Sequence, residues 1–154
     1  MTHELIIKMI ASEHFKVAED KVTIEKRFSG GMSNFTYLIT VNQKKYTFRI
    51  PSNRSAEVIN RANELANYET IADASFLPKL IYFNVENGYK ISEFNEGVDL
   101  RDITIDYEAV ASTLQTLHQY PKKFDNDYDA IQRLLKYEKM CSQENQEYFL
   151  LKNR

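Results

Sequence analysis

Two glycines sit among hydrogen-bond donors in Phe28-Ser29-Gly30-Gly31-Met32-Ser33-Asn34-Phe35. Glycine lets backbone N–H groups approach an anionic oxygen closely, and Ser33 and Asn34 add side-chain donors at small steric cost, so the segment suits a phosphate cradle. The same composition also makes an ordinary hairpin loop. Further along, Arg49 stands in the apolar run Tyr46-Thr47-Phe48-Arg49-Ile50-Pro51, and Glu64 follows in Asn60-Arg61-Ala62-Asn63-Glu64. An unpaired guanidinium in a half-buried strand is costly, so Arg49 must meet a carboxylate, a ligand anion or both, and Glu64 is the natural partner. The alternative, in which Arg49 snorkels from an edge strand and Glu64 is a solvated charge, needs no ligand.

The elements that would position these residues follow from periodicity. Leu5, Ile6, Met9 and Ile10 repeat at helical spacing behind a Thr2 cap, which predicts a packing helix to about residue 14. Segments 22–28 and 35–41 alternate with period two and are rich in β-branched and aromatic residues, so they read as strands on either side of the glycine loop. A polar turn at Asn42-Gln43-Lys44 leads to the strand bearing Arg49, closed by Pro51. A helix is predicted over 56–73, with Val58, Ile59, Ala62, Leu65, Ala66 and Ile71 on its apolar face and Arg61, Asn63 and Glu64 interspersed. Residues 80–83 and 89–94 form a second hairpin around Glu86-Asn87-Gly88, and helices follow at about 106–119 and 127–150. Strands first and helices last give an α+β class, with an antiparallel sheet of about five strands. No repeat, low-complexity tract or long linker interrupts the chain.

The chain has 154 residues, 20 Lys+Arg against 22 Asp+Glu and a formal charge of −2, which offers no global attraction to nucleic acid or to anionic membranes. Cys141 is alone, so neither an internal disulfide nor a paired-thiol metal site is available, as suits a reducing cytoplasm. The acidic N-terminal stretch differs from a signal peptide, and no run approaches the ~20 apolar residues of a membrane span. Asp125, Asp127 and Asp129 have the alternate spacing of a calcium loop, but Ala130-Ile131-Gln132-Arg133 lacks its glycine and terminal glutamate; a turn and helix cap is the reading that remains.

Taken in order, the glycine loop, the cationic strand, the Glu64 helix, the hairpin Gly88-Tyr89-Lys90-Ile91-Ser92-Glu93-Phe94 and the polar exit resemble the N-lobe of the protein-kinase-like phosphotransferases. Within that superfamily the segments resemble the choline/ethanolamine kinases, particularly the bacterial choline kinases, over about residues 20–120. The resemblance implies a kinase-like N-lobe at 1–94, a hinge or linker at 95–105 and the helical start of a C-lobe at 106–154. It implies that the backbone of Gly30 to Asn34, with Ser29, Gly31, Met32 and Ser33, covers the phosphates of ATP, that Arg49 contacts them and that Glu64 holds Arg49. Arg in place of the commoner Lys is accepted by choline kinases. The segment Glu93-Phe94-Asn95-Glu96-Gly97 would be the hinge facing the adenine edge; its alternative is a plain exit loop.

The superfamily's catalytic-loop Asp and Asn and its later magnesium-holding Asp are not recognisable among these residues, and His118 is followed by Gln119-Tyr120 instead of a His-x-Asp pattern. The chain is therefore expected to be a truncated or partial choline kinase, inactive alone, whose complete form would use ATP and Mg²⁺ to phosphorylate a small amino alcohol such as choline. A non-catalytic nucleotide- or protein-binding module, an aminoglycoside phosphotransferase-like kinase and an unrelated α+β domain are the alternatives. Leu114, Leu117, Leu134, Leu135, Tyr137, Phe149, Leu150 and Leu151 in the last helices lead to the expectation of a homo-oligomer formed through them.

Overall fold

The structure, a computed structural model, describes residues 1–29, 33–52, 55, 59–98 and 102–140. Helix α1 spans His3–Phe15, and Thr2 Oγ1 accepts a hydrogen bond from the Leu5 amide as its N-cap, a contact of a kind that stabilises a helix by about 1 kcal/mol. The side chains that α1 buries are Ile6, Ile7, Ile10 and Ala11, whereas Leu5 and Met9, expected on the packing face, are exposed. At its two ends the half-buried His3 and the exposed His14 lie against Phe35 and Tyr82. Positions 6, 7, 10 and 11 thus form the buried stripe of the helix.

Strands β1 (Val22–Arg27), β2 (Asn34–Val41), β3 (Lys44–Pro51), β4 (Leu80–Phe83) and β5 (Lys90–Glu93) form one sheet in the order β1-β2-β3-β5-β4, every neighbouring pair antiparallel. Asn42 and Gln43, both with positive φ, close the β2–β3 hairpin in the way its right-handed twist favours. Helix α2 is Arg61–Thr70, shorter than the predicted 56–73, because Asn60 accepts from the Asn63 amide and caps it there. Helices α3 (Tyr107–His118) and α4 (Ala130–Met140) follow, with Asp106 capping α3 and Asp129 accepting from the Gln132 amide at the start of α4. The predicted extension of the last helix to 150, with Phe149, Leu150 and Leu151, lies outside the described residues, as do Gly30, Gly31 and Met32 of the loop and the N-terminal part, 56–58, of the predicted middle helix.

Cross-strand partners share a face, so the register sorts the sheet into two sides. On one, Phe35, Tyr37 and Ile39 pair with Ile50, Phe48 and Tyr46, and Phe48 with Ile91; this side carries the core with α1, and Phe48 and Ile91 are fully buried. The other side bears Asn34, Thr36, Thr47, Arg49 and Lys90. In β1 the register shifts between Ile24 and Lys26, so the single alternation predicted over 22–28 is broken. The extra residue turns Lys26 to pair with Leu38 on the second side, while Val22 and Ile24 stay with the core.

Candidate functional site

Arg49 projects from β3 on the side of the sheet opposite the α1 core. Its Nη1 donates to Glu64 Oε1 and its Nη2 to the Gly88 carbonyl at 3.3 Å, with the guanidinium 5.8 Å from the Phe83 ring centroid. The side chains of Arg49 and Glu64 are only 12% and 17% exposed, so this is a largely desolvated ion pair of the kind the strand sequence demands. Glu64 Oε2 receives a second arginine, Arg61 Nη1, at 3.2 Å. Burial pushes the Glu64 carboxyl up; the hydrogen bond and charge of Arg49, the hydrogen bond of Arg61 and the charge of Lys90 outweigh it and hold the group below its ordinary value.

In the sequence Arg61 is only one of the polar residues interspersed among the apolar positions of its helix. It is the one residue of α2 that is buried, while Ala62, expected on the apolar face, is exposed. The inward face of α2 is Arg61, Glu64, Leu65 and Tyr68, at helical i, i+3, i+4, i+7 spacing, and two of the four are charged. Arg61 Nη2 donates to Ser55 Oγ at 2.8 Å, and Ser55 Oγ in turn donates to the Ser52 carbonyl at 2.8 Å, linking the helix to the chain that leaves β3. Lys90, paired with Arg49 across β3 and β5, donates to Tyr68 OH and lies 4.4 Å from that ring's centroid. Arg49, Arg61 and Lys90 thus gather about the single carboxylate of Glu64, an excess of positive charge suited to an anion.

Among the described residues, three buried polar side-chain atoms have no hydrogen-bond partner: Asn34 Oδ1, Arg49 Nε and Ser52 Oγ. Asn34 pairs with Pro51 in the β2–β3 ladder and the Ser52 amide donates to the Ser33 carbonyl at 2.9 Å, so Asn34 and Ser52 both lie where the loop after β1 enters the sheet. Each such atom costs about 1–3 kcal/mol when left unmet by protein, water or ligand. Of the expected phosphate-loop residues, Ser29 and Ser33 are exposed and Asn34 half-buried.

The segment after β5 borders a second feature, a cavity of about 680 Å³ lined by Lys26, Phe28, Phe94, Asn95, Gly97, Val98, Asp102 and Ile103. The Phe28 and Phe94 rings lie with centroids 6.2 Å apart and planes inclined by 24°, and Lys26 Nζ lies 5.1 Å from the Phe28 centroid. Phe94 and Asn95 therefore face the cavity, but the Glu93 carboxylate is turned to Lys44 at 2.6 Å. Phe28 was not singled out from the sequence, because β1 read as an unbroken alternation places it on the core side.

A five-stranded antiparallel sheet with a part-buried arginine on its third strand, held by a glutamate on the next helix, defines a protein-kinase-like N-lobe. The family model described as choline/ethanolamine kinase matches residues 25–154, and the chain belongs to that family. The crystal structure of choline kinase LicA from Streptococcus pneumoniae is similar over 97% of this chain and 53% of its own, with 26% identity and a TM-score of 0.73. LicA in complex with AMP is similar over 95% of this chain and 52% of its own, at 24% identity and a TM-score of 0.69. A choline kinase from Cryptosporidium parvum shares the fold at 18% identity, covering 81% of this chain and 38% of its own with a TM-score of 0.54. The chain thus spans about half the length of LicA. No curated protein sequence matches it. No helix among the described residues is long and apolar enough to cross a membrane.

Proposed function

We propose that this chain binds ATP and constitutes the nucleotide-binding part of a choline kinase, the complete enzyme passing the γ-phosphoryl group of ATP to the hydroxyl of choline to give ADP and phosphocholine. The observation that carries this reading is Arg49: a part-buried cation whose buried Nε lacks a partner among the described residues, held by Glu64 and facing away from the hydrophobic core. A triphosphate oxygen supplies the missing acceptor, and Arg61 and Lys90 make the surroundings attractive to it. Ser29, Ser33 and Asn34, with Gly30, Gly31 and Met32 between them, are assigned to cover the phosphates. The cavity beside Phe28, Phe94 and Asn95 is assigned to adenine, where the aromatic rings offer stacking and the backbone after Glu93 offers hydrogen bonds. The division into an N-lobe at 1–94, a hinge at 95–105 and a C-lobe start at 106–154 is part of the same proposal, as is a cytoplasmic location. So is self-association through α3 and α4, on which Leu114, Leu117, Leu134 and Leu135 are exposed.

The chemistry of transfer needs groups beyond these. Among the described residues no cluster of His, Cys, Asp and Glu could hold a metal ion such as Mg²⁺. The acceptor alcohol likewise has no assigned pocket.

Calorimetric titration of the purified chain with ATP tests the reading. Binding is expected, weakened about ten- to hundredfold by Arg49→Ala, the loss of a charge-assisted hydrogen bond. The same chain is expected to form no phosphocholine from ATP and choline. An absence of ATP binding, or an Arg49→Ala variant that binds as the parent does, would overturn the assignment; phosphocholine formation by the chain alone would overturn the assignment to the binding part only.

A further inference from the structure

Glu64 offers two oxygens and meets two arginines, one on each. A carboxylate facing a single guanidinium prefers to take it on both oxygens, through two parallel hydrogen bonds. In that arrangement Arg49 would turn an entire edge of its guanidinium to Glu64. Arg61 competes with this by donating to Oε2, and it is itself firmly held: its side chain is 8% exposed, Nη2 donates to Ser55 Oγ at 2.8 Å, and the guanidinium packs against Gly88, where no side chain intrudes. Arg49 is left with one bond to Oε1, a long one from Nη2 to the Gly88 carbonyl, and a buried Nε with no partner among the described residues.

We infer that Arg61 is a positioning residue, which by holding Glu64 Oε2 confines Arg49 to a single bond with Oε1 and keeps the Nε of Arg49 free for an anionic oxygen. The inference rests on the ATP reading above and adds a residue to which that reading gives no contact with ATP. Through Ser55 and Ser52 the same guanidinium also braces the end of β3, beside Asn34. Its effect is directed at the phosphates and is indirect; the adenine cavity, lined by Lys26, Phe28, Phe94 and Asn95, has no part of Arg61 in its wall.

The test compares ATP with adenosine, which has the base and no phosphate, on the full chain. Arg61→Met is expected to weaken ATP about tenfold, the worth of one charge-assisted hydrogen bond, while adenosine binds unchanged. Arg61→Lys, which can still reach Oε2 with one donor, is expected to recover most of the ATP affinity. Equal losses for ATP and adenosine would assign Arg61 a merely structural role, and unchanged ATP affinity would remove it from the site; either result overturns the inference while leaving the ATP reading standing. A parent chain that binds no ATP overturns both. Should Arg61→Met fail to fold, the parent chain labelled with ¹⁵N at arginine decides: ATP is expected to shift the Nε–H resonance of Arg49 and not that of Arg61, and the reverse pattern would make Arg61 a direct ligand and overturn the positioning role.

Discussion

Gly88 and Arg61 fit against each other with no room to spare: a Cβ at position 88 would lie 2.5 Å from Arg61 Nε and 2.7 Å from its Cζ. Gly88 also has a φ of +74°, a conformation that residues with side chains adopt at a cost. Gly88→Ala is therefore expected to destabilise the protein by about 2–3 kcal/mol, from backbone strain together with displacement of the guanidinium. Chemical denaturation measures this, and a loss no larger than the ~1 kcal/mol of an ordinary left-handed alanine would show that Arg61 moves aside freely.

Glu64 links stability to pH. Its folded-state pKa lies below the ordinary value of 4.5, so the unfolded chain binds the proton more readily and the stabilisation it gives is complete above that value. As pH falls below 4.5 and through the depressed folded-state pKa, that stabilisation is lost. Glu64→Gln leaves Arg49 and Arg61 buried without their counter-charge and is expected to cost about 3 kcal/mol at neutral pH. It should also flatten the acid limb of a plot of unfolding free energy against pH, and a variant whose profile parallels the parent's from pH 6 to 3 would refute the assignment, pH being the variable set by the experimenter.

Asp73 joins α2's trailing segment to the chain between α3 and α4. The Lys122 ammonium, at 2.8 Å, and then the Tyr120 hydroxyl hold its carboxyl at about 2. The contact is expected to be complete above its unshifted value of 3.8 and to be lost as pH falls through about 2. Carbon-detected NMR titration should find that midpoint, and Lys122→Met should return it toward 3.8. A midpoint near 3.8 in the parent would show that this exposed pair does not persist in solution.

The strands were legible because period-two alternation reports burial on one side, and the side that α1 covers in β2 and β3 follows it closely. Arg49 and Glu64 were legible for a related reason: a cation inside an apolar strand requires an anion, and Glu64 lies on the next helix. Arg61 was not. Hydrophobic periodicity counts an arginine as solvent-facing, and nothing local distinguishes one that is buried because a carboxylate and Ser55 receive its donors. The face of α1 was misjudged in a similar way, since Leu5 and Met9 share helical spacing with Ile6 and Ile10 and only the sheet decides between them. Phe28 was hidden by the register shift after Ile24, which reverses the parity of every later residue in β1.

The unbroken alternation of β2 and β3 bears on what the chain can become. The side chains that fasten the sheet to α1 and those that face the candidate ligand hang from the same strands in opposite directions. Thr36 and Thr47, paired neighbours of Arg49 and Ser92 on the ligand side, can be exchanged for larger or smaller residues while Tyr37, Phe48 and Ile91 keep their packing. Under the proposed function, the face that meets the nucleotide is thus open to change by natural selection one residue at a time, and the capacity to fold is carried by the residues between.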